Sequence, residues 1–367
     1  MSMSDSSATT PSGSSSRRKR PVLVGLVIGG AATAFVLRRQ VAALAKRAVP
    51  YARRTSRVSS PVLIVNRWSG DGKAERYGLA EAAREAGIDV IMLERGDDIV
   101  ELAANAVDAG ADAIGAAGGD GSLGLVAGVA IERDVPFFCV PVGTRNHFAL
   151  DLGLDRDNPL TALDAIRDGE EIDIDYGLAG ERPFLNNVSF GIYAEAVHRP
   201  EYRENKEETV AAVMREMHAD GGSGSAIRFA TPQGEQAEQT AVTLASNNPY
   251  VYSGPPDYGR RTRLDTGVMG ITTYAQGTTA AGRATEGARH WEADELVLES
   301  DNPILAGLDG EALTFEPPLV LRIVPKGLRV LVPRGTKPGY VPPAETFAAQ
   351  LIGLNLLAGL GGEPDQV

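Results

Sequence analysis

The sequence has few residues that form disulfides or bind zinc. It holds one cysteine, Cys139, and four histidines among 367 residues. A single cysteine excludes an internal disulfide and fits a reducing compartment, and these totals argue against a structural zinc site. Hydrophobic residues make up 43% of the chain and charged residues 23%, which is ordinary for a globular protein.

Basic residues are scarce in the body of the chain and concentrated at its start. Residues 1–57 hold eleven of the 36 Lys and Arg residues and one of the 48 acids, so 25 bases face 47 acids in the remainder. An acidic body argues against nucleic acid as a partner, because phosphate contacts need clustered Lys and Arg. A basic leader suits an anionic membrane surface, which we expect as a partner.

An apolar run at 21–37, PVLVGLVIGGAATAFVL, lies between a basic leader at 1–20, which we expect to be disordered, and a basic linker at 38–59. As a helix it would span about 25 Å, and flanking arginines can close the gap to the thickness of a bilayer. We predict a single N-terminal transmembrane helix with the body on the cytoplasmic face of the cell membrane, since more basic residues follow the run than precede it. A cleaved signal peptide and a basic helix lying on the membrane surface are the alternatives.

The body of the chain has two different patterns of predicted secondary structure. From 60 to 170, apolar strands alternate with helical segments, one of them Lys73 to Ala86, which predicts a parallel α/β domain that binds ligands beyond the carboxyl ends of its strands. From 171 to 335, short strand-like pieces predict an antiparallel β-sandwich with one helical insertion near 206–219. The apolar C-terminal segment within 336–367 is expected to form a helix that packs back on the body.

Three predicted strands of the first domain end in glycine-rich turns. These are VNRWSGDG at 65–72, GGDGS at 118–122 and PVGTRNHFALDLGL at 141–154. Because parallel strands end on the same side, we expect the three turns on one rim of the sheet. Glycines let backbone N–H groups approach phosphate oxygens, and a helix starting near Ser122 would add its N-terminal dipole. Ordinary turns between strand and helix are the alternative.

Two common phosphate motifs do not explain these turns. The chain has no GxxxxGK[ST] segment, which argues against a P-loop. Gly119-x-Gly121-x-x-Gly124 matches a dinucleotide fingerprint, but the next predicted strand lacks the acid that such a site needs. Asp120 would repel phosphates unless Mg²⁺ bridges them or a substrate hydroxyl faces it, and the alternative is that it caps the helix from Gly121.

The three segments, in this order and spacing, resemble the diacylglycerol kinase catalytic-domain family, whose usual forms are roughly NPxSGxG, GGDGT and PxGTxNDFAR. FLNNVSFGIYAE at 184–195, LDTGVMGI at 264–271 and LDGE at 308–311 resemble later segments of that family. The resemblance implies ATP-dependent phosphorylation of diacylglycerol or a related lipid alcohol, in a cleft between the two domains. A non-catalytic or altered-specificity relative and a soluble-substrate kinase of the NAD-kinase type are the alternatives.

The resemblance also implies roles for individual residues. Glu311 would be the general base on the lipid hydroxyl with Asp309 beside it, and Asp120 would serve the phosphate–Mg²⁺ centre. Asp265 and Asp257 are candidates for a further Mg²⁺ site. The expected nucleotide contacts are Asn66, Ser69, Gly119, Gly121, Ser122, Gly143, Thr144 and Asn146.

Several positions depart from the family pattern. His147 stands where the family has the Asp of NDF, which removes a negative charge near the metal, and Arg145 replaces a common glycine. Arg-Trp at 67–68 replaces the usual proline region, and Asp-Thr-Gly at 265–267 has lost one acid. Asp-Gly at 309–310 is in itself a type I′ hairpin signal. The sequence leaves open whether the chain forms a homodimer.

Overall fold

Apolar strands and helices alternate in the first part of the chain, as the sequence predicts. The computed structural model describes residues 50–339, apart from 56, 204, 220–226, 233, 235, 239–241, 252–259 and 275–287. The elements of the first part are β1 (Arg53–Arg54), β2 (Pro61–Val65), α1 (Lys73–Arg76), α2 (Leu79–Glu85), β3 (Asp89–Met92), α3 (Ile99–Asp108), β4 (Ala113–Gly118), α4 (Asp120–Glu132), β5 (Phe137–Pro141), α5 (His147–Asp151), a 3₁₀ turn (Pro159–Leu163) and α6 (Asp164–Asp168).

Strands dominate the second part. Its elements are β6 (Gly169–Ala179), β7 (Arg182–Phe184), β8 (Asn187–Gly191), α7 (Ile192–Val197), a 3₁₀ turn (Pro200–Arg203), α8 (Lys206–Ala219), β9 (Arg228–Ala230), β10 (Gln236–Glu238), β11 (Val242–Asn247), β12 (Tyr250–Val251), β13 (Arg260–Arg261), β14 (Met269–Tyr274), β15 (Ala288–Ala293), β16 (Glu295–Leu298), β17 (Ile304–Leu308), β18 (Glu311–Phe315) and β19 (Leu319–Pro333). The helical insertion therefore lies where the sequence predicts it.

One mixed sheet organises the first domain, in the order β1-β6-β19-β5-β4-β2-β3. The neighbours β3, β2, β4 and β5 run parallel, and β5 is also parallel to β19, whereas β6 is antiparallel to both of its neighbours. Every residue of β2, β4 and β5 is buried, which explains why these strands read as continuous apolar runs. Their carboxyl ends lie on the same edge of the sheet.

An antiparallel sheet, β15-β14-β11-β8-β17-β18, forms the second domain. A separate core of buried side chains joins it to β16 and to the distal ends of β6 and β19, with residues such as Phe190, Ile271 and Leu321. The predicted fold class, a parallel α/β domain followed by an antiparallel β domain, is confirmed.

Two strands are shared by both cores. In β6, Ile172 belongs to the first core and Ala179 to the second, and β19 makes the same passage in the opposite direction. The pairing of β6 with β19 is interrupted by a bulge between Val324 and Leu328. At this point the buried Asp175 carboxylate accepts hydrogen bonds from the Lys326 amide at 2.8 Å, the Gly267 amide at 2.7 Å and the Asn248 Nδ2 at 2.7 Å.

One helix prediction is wrong. The segment Lys73 to Ala86 forms two helices, α1 and α2, because Gly78 lies between them with a φ of 58°. This left-handed conformation favours glycine and interrupts a helix.

The end of the predicted basic linker at 38–59 is part of the sheet. Arg53 Nη1 lies 2.6 Å from Glu170, and Arg54 Nη2 lies 2.6 Å from both Glu171 and Asp173. These two arginines therefore already have acidic partners on β6, within the body of the protein.

The predicted anchor at 21–37 and the segment 340–367 lie outside the described residues, so the transmembrane helix and the C-terminal helix stay predictions. Within the described ranges, the helices are too short or too polar to cross a membrane. The domain boundaries at 20/21, 37/38, 59/60, 170/171 and 335/336 also stay predictions.

Asp175→Ala tests the junction between the two cores. Loss of the carboxylate deprives three donors of their buried acceptor, so we expect the free energy of unfolding to fall by about 3–5 kcal/mol. Asp168→Ala is the control, because the pair of Asp168 with Arg334 is exposed and its loss should cost less than about 1 kcal/mol. Urea unfolding measures both values, and equal small losses would contradict the structural role of Asp175.

Candidate active site

Three loops meet at the carboxyl edge of the parallel strands. They follow β2, β4 and β5 and comprise residues 66–72, 118–122 and 142–146. The prediction that the three glycine-rich turns share one rim is confirmed by the contacts between them.

The backbones of these loops touch where glycines occur. The Gly143 amide donates to the Gly118 carbonyl oxygen at 3.0 Å, and a Cβ on Gly143 would lie 2.4 Å from the Cα of Gly119. Gly70 has a φ of 59°, and a Cβ there would lie 2.2 Å from the Val142 carbonyl oxygen. Any larger residue at these positions would push the loops apart, since contacts this short are repulsive.

Asn66 and Ser122 join the first loop to the second. The Nδ2 of Asn66 donates to the Oγ of Ser122 at 3.1 Å, and the Ser69 amide donates to the Asn66 carbonyl oxygen at 3.2 Å. Ser122 fits here because Gly118 has no side chain: a Cβ on Gly118 would lie 2.6 Å from the Cβ of Ser122. Helix α4 has Gly119 as its N-cap, and no side chain caps its first turn. Such a helix end, with its positive dipole, suits an anion such as phosphate.

Asp120 caps a different helix from the one expected. It is the first residue of α4, and its carboxylate accepts hydrogen bonds from the backbone amides of His147 and Phe148, both at 3.1 Å. It also accepts from the Nδ2 of Asn186 at 3.2 Å. The alternative that Asp120 caps the helix from Gly121 is therefore wrong, because its carboxylate supplies the cap of α5.

The third loop divides its side chains between the interior and the rim. Asn146 is fully buried with a φ of 52°, and its Nδ2 donates to the Gly118 carbonyl oxygen at 2.7 Å. Thr144, Arg145 and His147 are exposed. Their side chains are accessible to a ligand, whereas the amide of Asn146 holds two loops together.

The second domain reaches this rim through a two-residue turn. β17 and β18 pair through Leu308 and Glu311, and the turn residues Asp309 and Gly310 have φ values of 48° and 90°. Positive φ at both positions is the requirement of a type I′ turn, so the hairpin predicted from Asp-Gly is confirmed.

The Asp309 side chain is buried under this turn. Its carboxylate accepts hydrogen bonds from three consecutive amides, those of Leu185 at 2.7 Å, Asn186 at 2.8 Å and Asn187 at 2.9 Å. Burial raises the pKa of Asp309 from 3.8 to about 6, the three amides oppose this rise, and the negative charge of Asp120 adds to it. These contacts give Asp309 a structural role, and its catalytic role stays a prediction.

Glycines at 121, 124 and 128 share one side of α4, which we call the glycine face. A Cβ on Gly121 would lie 2.7 Å from the Glu311 Oε1, and a Cβ on Gly124 would lie 3.4 Å from the Asp309 Oδ2. The hairpin turn therefore rests against the glycine face. This contact places the Glu311 carboxylate at the first turn of α4.

A buried polar network behind the rim was missed by sequence reasoning. Arg261 is fully buried and donates to Asp151 at 2.6 Å, to the Asn186 Oδ1 at 2.6 Å and to the carbonyl oxygens of Leu185 and Asn247. Burial raises the pKa of Asp151, and the guanidinium opposes this rise. Asp151 and Asn186 lie in segments already singled out, but Arg261 carries no local signal.

The described residues of the candidate site would hold Mg²⁺ only together with the phosphates of a substrate. In the described part of the chain, no group of three or more His, Cys, Asp or Glu side chains is placed to hold a metal ion. Mg²⁺ commonly binds one or two carboxylates together with substrate phosphates, and Asp120 lies beside the anion-favouring end of α4. Both oxygens of Asp265 bind Arg263, whose guanidinium also stacks on Tyr51 at 4.6 Å from the ring centre. Asp257 lies outside the described residues, so the Mg²⁺ site at Asp265 and Asp257 stays a prediction.

Comparisons with known proteins agree with this geometry. Residues 60–179 match the family model of the diacylglycerol kinase catalytic domain. A diacylglycerol kinase of Mycobacterium tuberculosis is 34% identical over 128 residues, which are 34% of this chain and 41% of that protein. A protein of Cronobacter sakazakii named probable lipid kinase YegS-like is 31% identical over 142 residues, 37% of this chain and 47% of that protein.

The diacylglycerol kinase fold extends beyond the matched domain. A solved structure of a diacylglycerol kinase from Bacillus anthracis superposes with a TM-score of 0.56 at 15% identity, over 77% of this chain and 99% of that one. At this identity the likeness shows a shared fold. The chain spans less than half of the length of the curated relatives that it matches. The family resemblance read from the sequence is confirmed.

The raised pKa of Asp309 predicts a pH-dependent stability. The folded protein binds this proton more tightly than the unfolded chain between about pH 4 and about pH 6, so the contribution of Asp309 to the free energy of unfolding falls by about 3 kcal/mol as pH rises through this window. Asp309→Asn removes the titration. The difference in free energy of unfolding, wild type minus variant, should therefore fall by about 3 kcal/mol between about pH 4 and about pH 7. Urea unfolding at each pH measures it, and a constant difference would show that the pKa is not raised.

Proposed function

We propose that this chain is an ATP-dependent lipid kinase that phosphorylates the hydroxyl of diacylglycerol or a related lipid alcohol. The diacylglycerol kinase catalytic domain at 60–179 supports a kinase, and the names of the matched relatives favour a lipid substrate. The observation that carries the proposal is the position of Glu311. Its carboxylate lies against Gly121, at the helix end that suits phosphate.

The nucleotide phosphates would bind along the rim formed by the three loops. The amides of the first turn of α4, which include those of Gly121 and Ser122, would donate to phosphate oxygens together with the exposed Thr144 hydroxyl. Asn66 and Ser69 would contact the nucleotide from the first loop, and the absence of a side chain at Gly119 leaves room for it. Gly143 would act indirectly, because the second loop fills the space that its Cβ would take. Asn146 would act indirectly, because its amide already binds the Gly118 carbonyl oxygen.

Glu311 would accept the proton of the lipid hydroxyl. The hydroxyl oxygen forms a bond to the γ-phosphorus while the bond from this phosphorus to the bridging oxygen of ADP breaks, and ADP leaves with that electron pair. Asp120 would hold Mg²⁺ against the phosphates, and the ion, when bound, neutralises part of their charge. Asp309 would act through the backbone, because it secures the turn that carries Glu311.

The basic leader would bring the enzyme to its substrate. Arg53 and Arg54 are paired with acids of β6, and the other nine Lys and Arg residues within 1–57 favour an anionic surface. Diacylglycerol resides in a bilayer. We propose that the protein works on the cytoplasmic face of the cell membrane, attached through residues 21–37.

A second candidate is a nucleotide-binding relative that transfers no phosphate. Asp120 already accepts three hydrogen bonds from protein groups, and the exposed His147 stands in place of an acid. Both features reduce the negative charge that is available to a metal ion.

Glu311→Gln separates these candidates. With the full-length protein, labelled ATP, Mg²⁺ and diacylglycerol in mixed micelles, the variant should transfer label at least about 100-fold more slowly than wild type, because it cannot accept the proton. ATP binding, measured by calorimetry, should be unchanged. Glu316→Gln is the matched control, since Glu316 is an exposed acid just beyond β18. If wild type binds ATP but labels no lipid in a panel of lipid alcohols, the kinase proposal is wrong and the non-catalytic relative is favoured.

A further inference from the structure

Asn186 makes contacts with both halves of the candidate site. It is buried in the turn between β7 and β8, and each of its polar groups has a partner. Its backbone amide donates to Asp309 at 2.8 Å, and its carbonyl oxygen accepts from the Asn247 amide at 2.9 Å. Its side chain accepts from Arg261 at 2.6 Å and donates to Asp120 at 3.2 Å.

Arg261 determines which way the Asn186 amide points. A guanidinium can only donate, so the group that faces Arg261 must be the Oδ1 of Asn186. The opposite end of the amide is then the Nδ2, and its N–H faces the Asp120 carboxylate. Arg261 is itself held by Asp151 at 2.6 Å, and it is completely buried, so the orientation of this amide is determined by the interior of the protein.

The Asp120 carboxylate is fixed from two sides as a result. The amides at the start of α5 hold it from the first domain, and the Asn186 Nδ2 holds it from the second. Hydrogen bonds from three donors leave this carboxylate one orientation. The same turn, through its backbone, binds the carboxylate of Asp309 next to Glu311.

We propose that Asn186 is a positioning residue for phosphoryl transfer. It orients the Asp120 carboxylate and fixes the position of this carboxylate relative to the turn that carries Glu311. This inference rests on the proposed function. Asn186 acts through Asp120 and Asp309, whose carboxylates accept its hydrogen bonds.

Asn186→Asp keeps the size of the side chain but replaces the donor that faces Asp120 with an oxygen. One oxygen of the introduced carboxylate can keep the contact to Arg261, while the other faces Asp120 and has no proton to donate. We therefore expect kcat to fall at least about tenfold, with the KM for ATP changed by less than about threefold.

Asn186→Ala removes the donor at every pH. Its kcat should be lower than that of wild type by about 10- to 100-fold at all pH values, with the KM for ATP changed by less than about threefold. Asn187→Ala is the matched control, because the Asn187 side chain contacts Tyr250 at 3.4 Å and not Asp120. This control should keep the kcat of wild type.

A measurement independent of activity completes the test. Hydrogen exchange of the His147 and Phe148 amides, which donate to Asp120, should be at least about tenfold faster in Asn186→Ala than in Asn187→Ala. If wild type phosphorylates lipid but Asn186→Asp and Asn186→Ala keep the kcat of wild type, the inference fails and the proposed function stands. If wild type phosphorylates no lipid, the proposed function fails, and unchanged exchange of these amides would overturn the inference as well.

Discussion

The buried Asp309 carboxylate accepts three consecutive backbone amides of the turn at 185–187, and the arrangement of the candidate site depends on this interaction. Asp309 itself lies in a left-handed turn, so backbone and side chain together determine the course of the hairpin. The hairpin therefore places Glu311, two residues after Asp309, against α4. The turn that binds Asp309 places the Asn186 side chain against Asp120. Burial raises the pKa of Asp309, so its ionised form lowers the stability of the fold. The same buried carboxylate fixes the positions of the acidic groups of the site.

The glycine-rich segment 115–128 serves two surfaces at once. At its start, Gly118 and Gly119 let the loops touch and leave the end of α4 open to an anion. Further along, the glycine face makes room for the acids of the second domain. The same helix therefore offers its positive end to phosphates and its glycine face to carboxylates. The expected phosphate site and the Glu311 carboxylate thus lie within one turn of helix.

Much of this fold and part of the site follow from the sequence, because local patterns determine them. Apolar runs predicted β2, β4 and β5, and Asp-Gly predicted the turn at 309–310. The rest depends on contacts between distant segments. Asp120, which follows β4, caps α5, which follows the neighbouring β5, and Arg261 reaches Asn186 from 75 residues away in sequence. No local pattern encodes either contact. The split of the helix at Gly78 had a local cause, a left-handed glycine, that periodicity alone does not reveal.

The Glu311 carboxylate occupies the space in which a Cβ on Gly121 would lie, so its position depends on the glycine at 121. A double-mutant cycle of Gly121→Ala with Glu311→Gln, read as kcat for lipid phosphorylation, tests this claim. We expect Gly121→Ala to lower kcat at least about tenfold in the wild-type background by displacing the carboxylate, and to have almost no effect when Gln replaces Glu311. Gly128→Ala, on the same helix face but next to Pro183, should leave kcat unchanged in both backgrounds. An equal loss from Gly121→Ala in both backgrounds would contradict the claim.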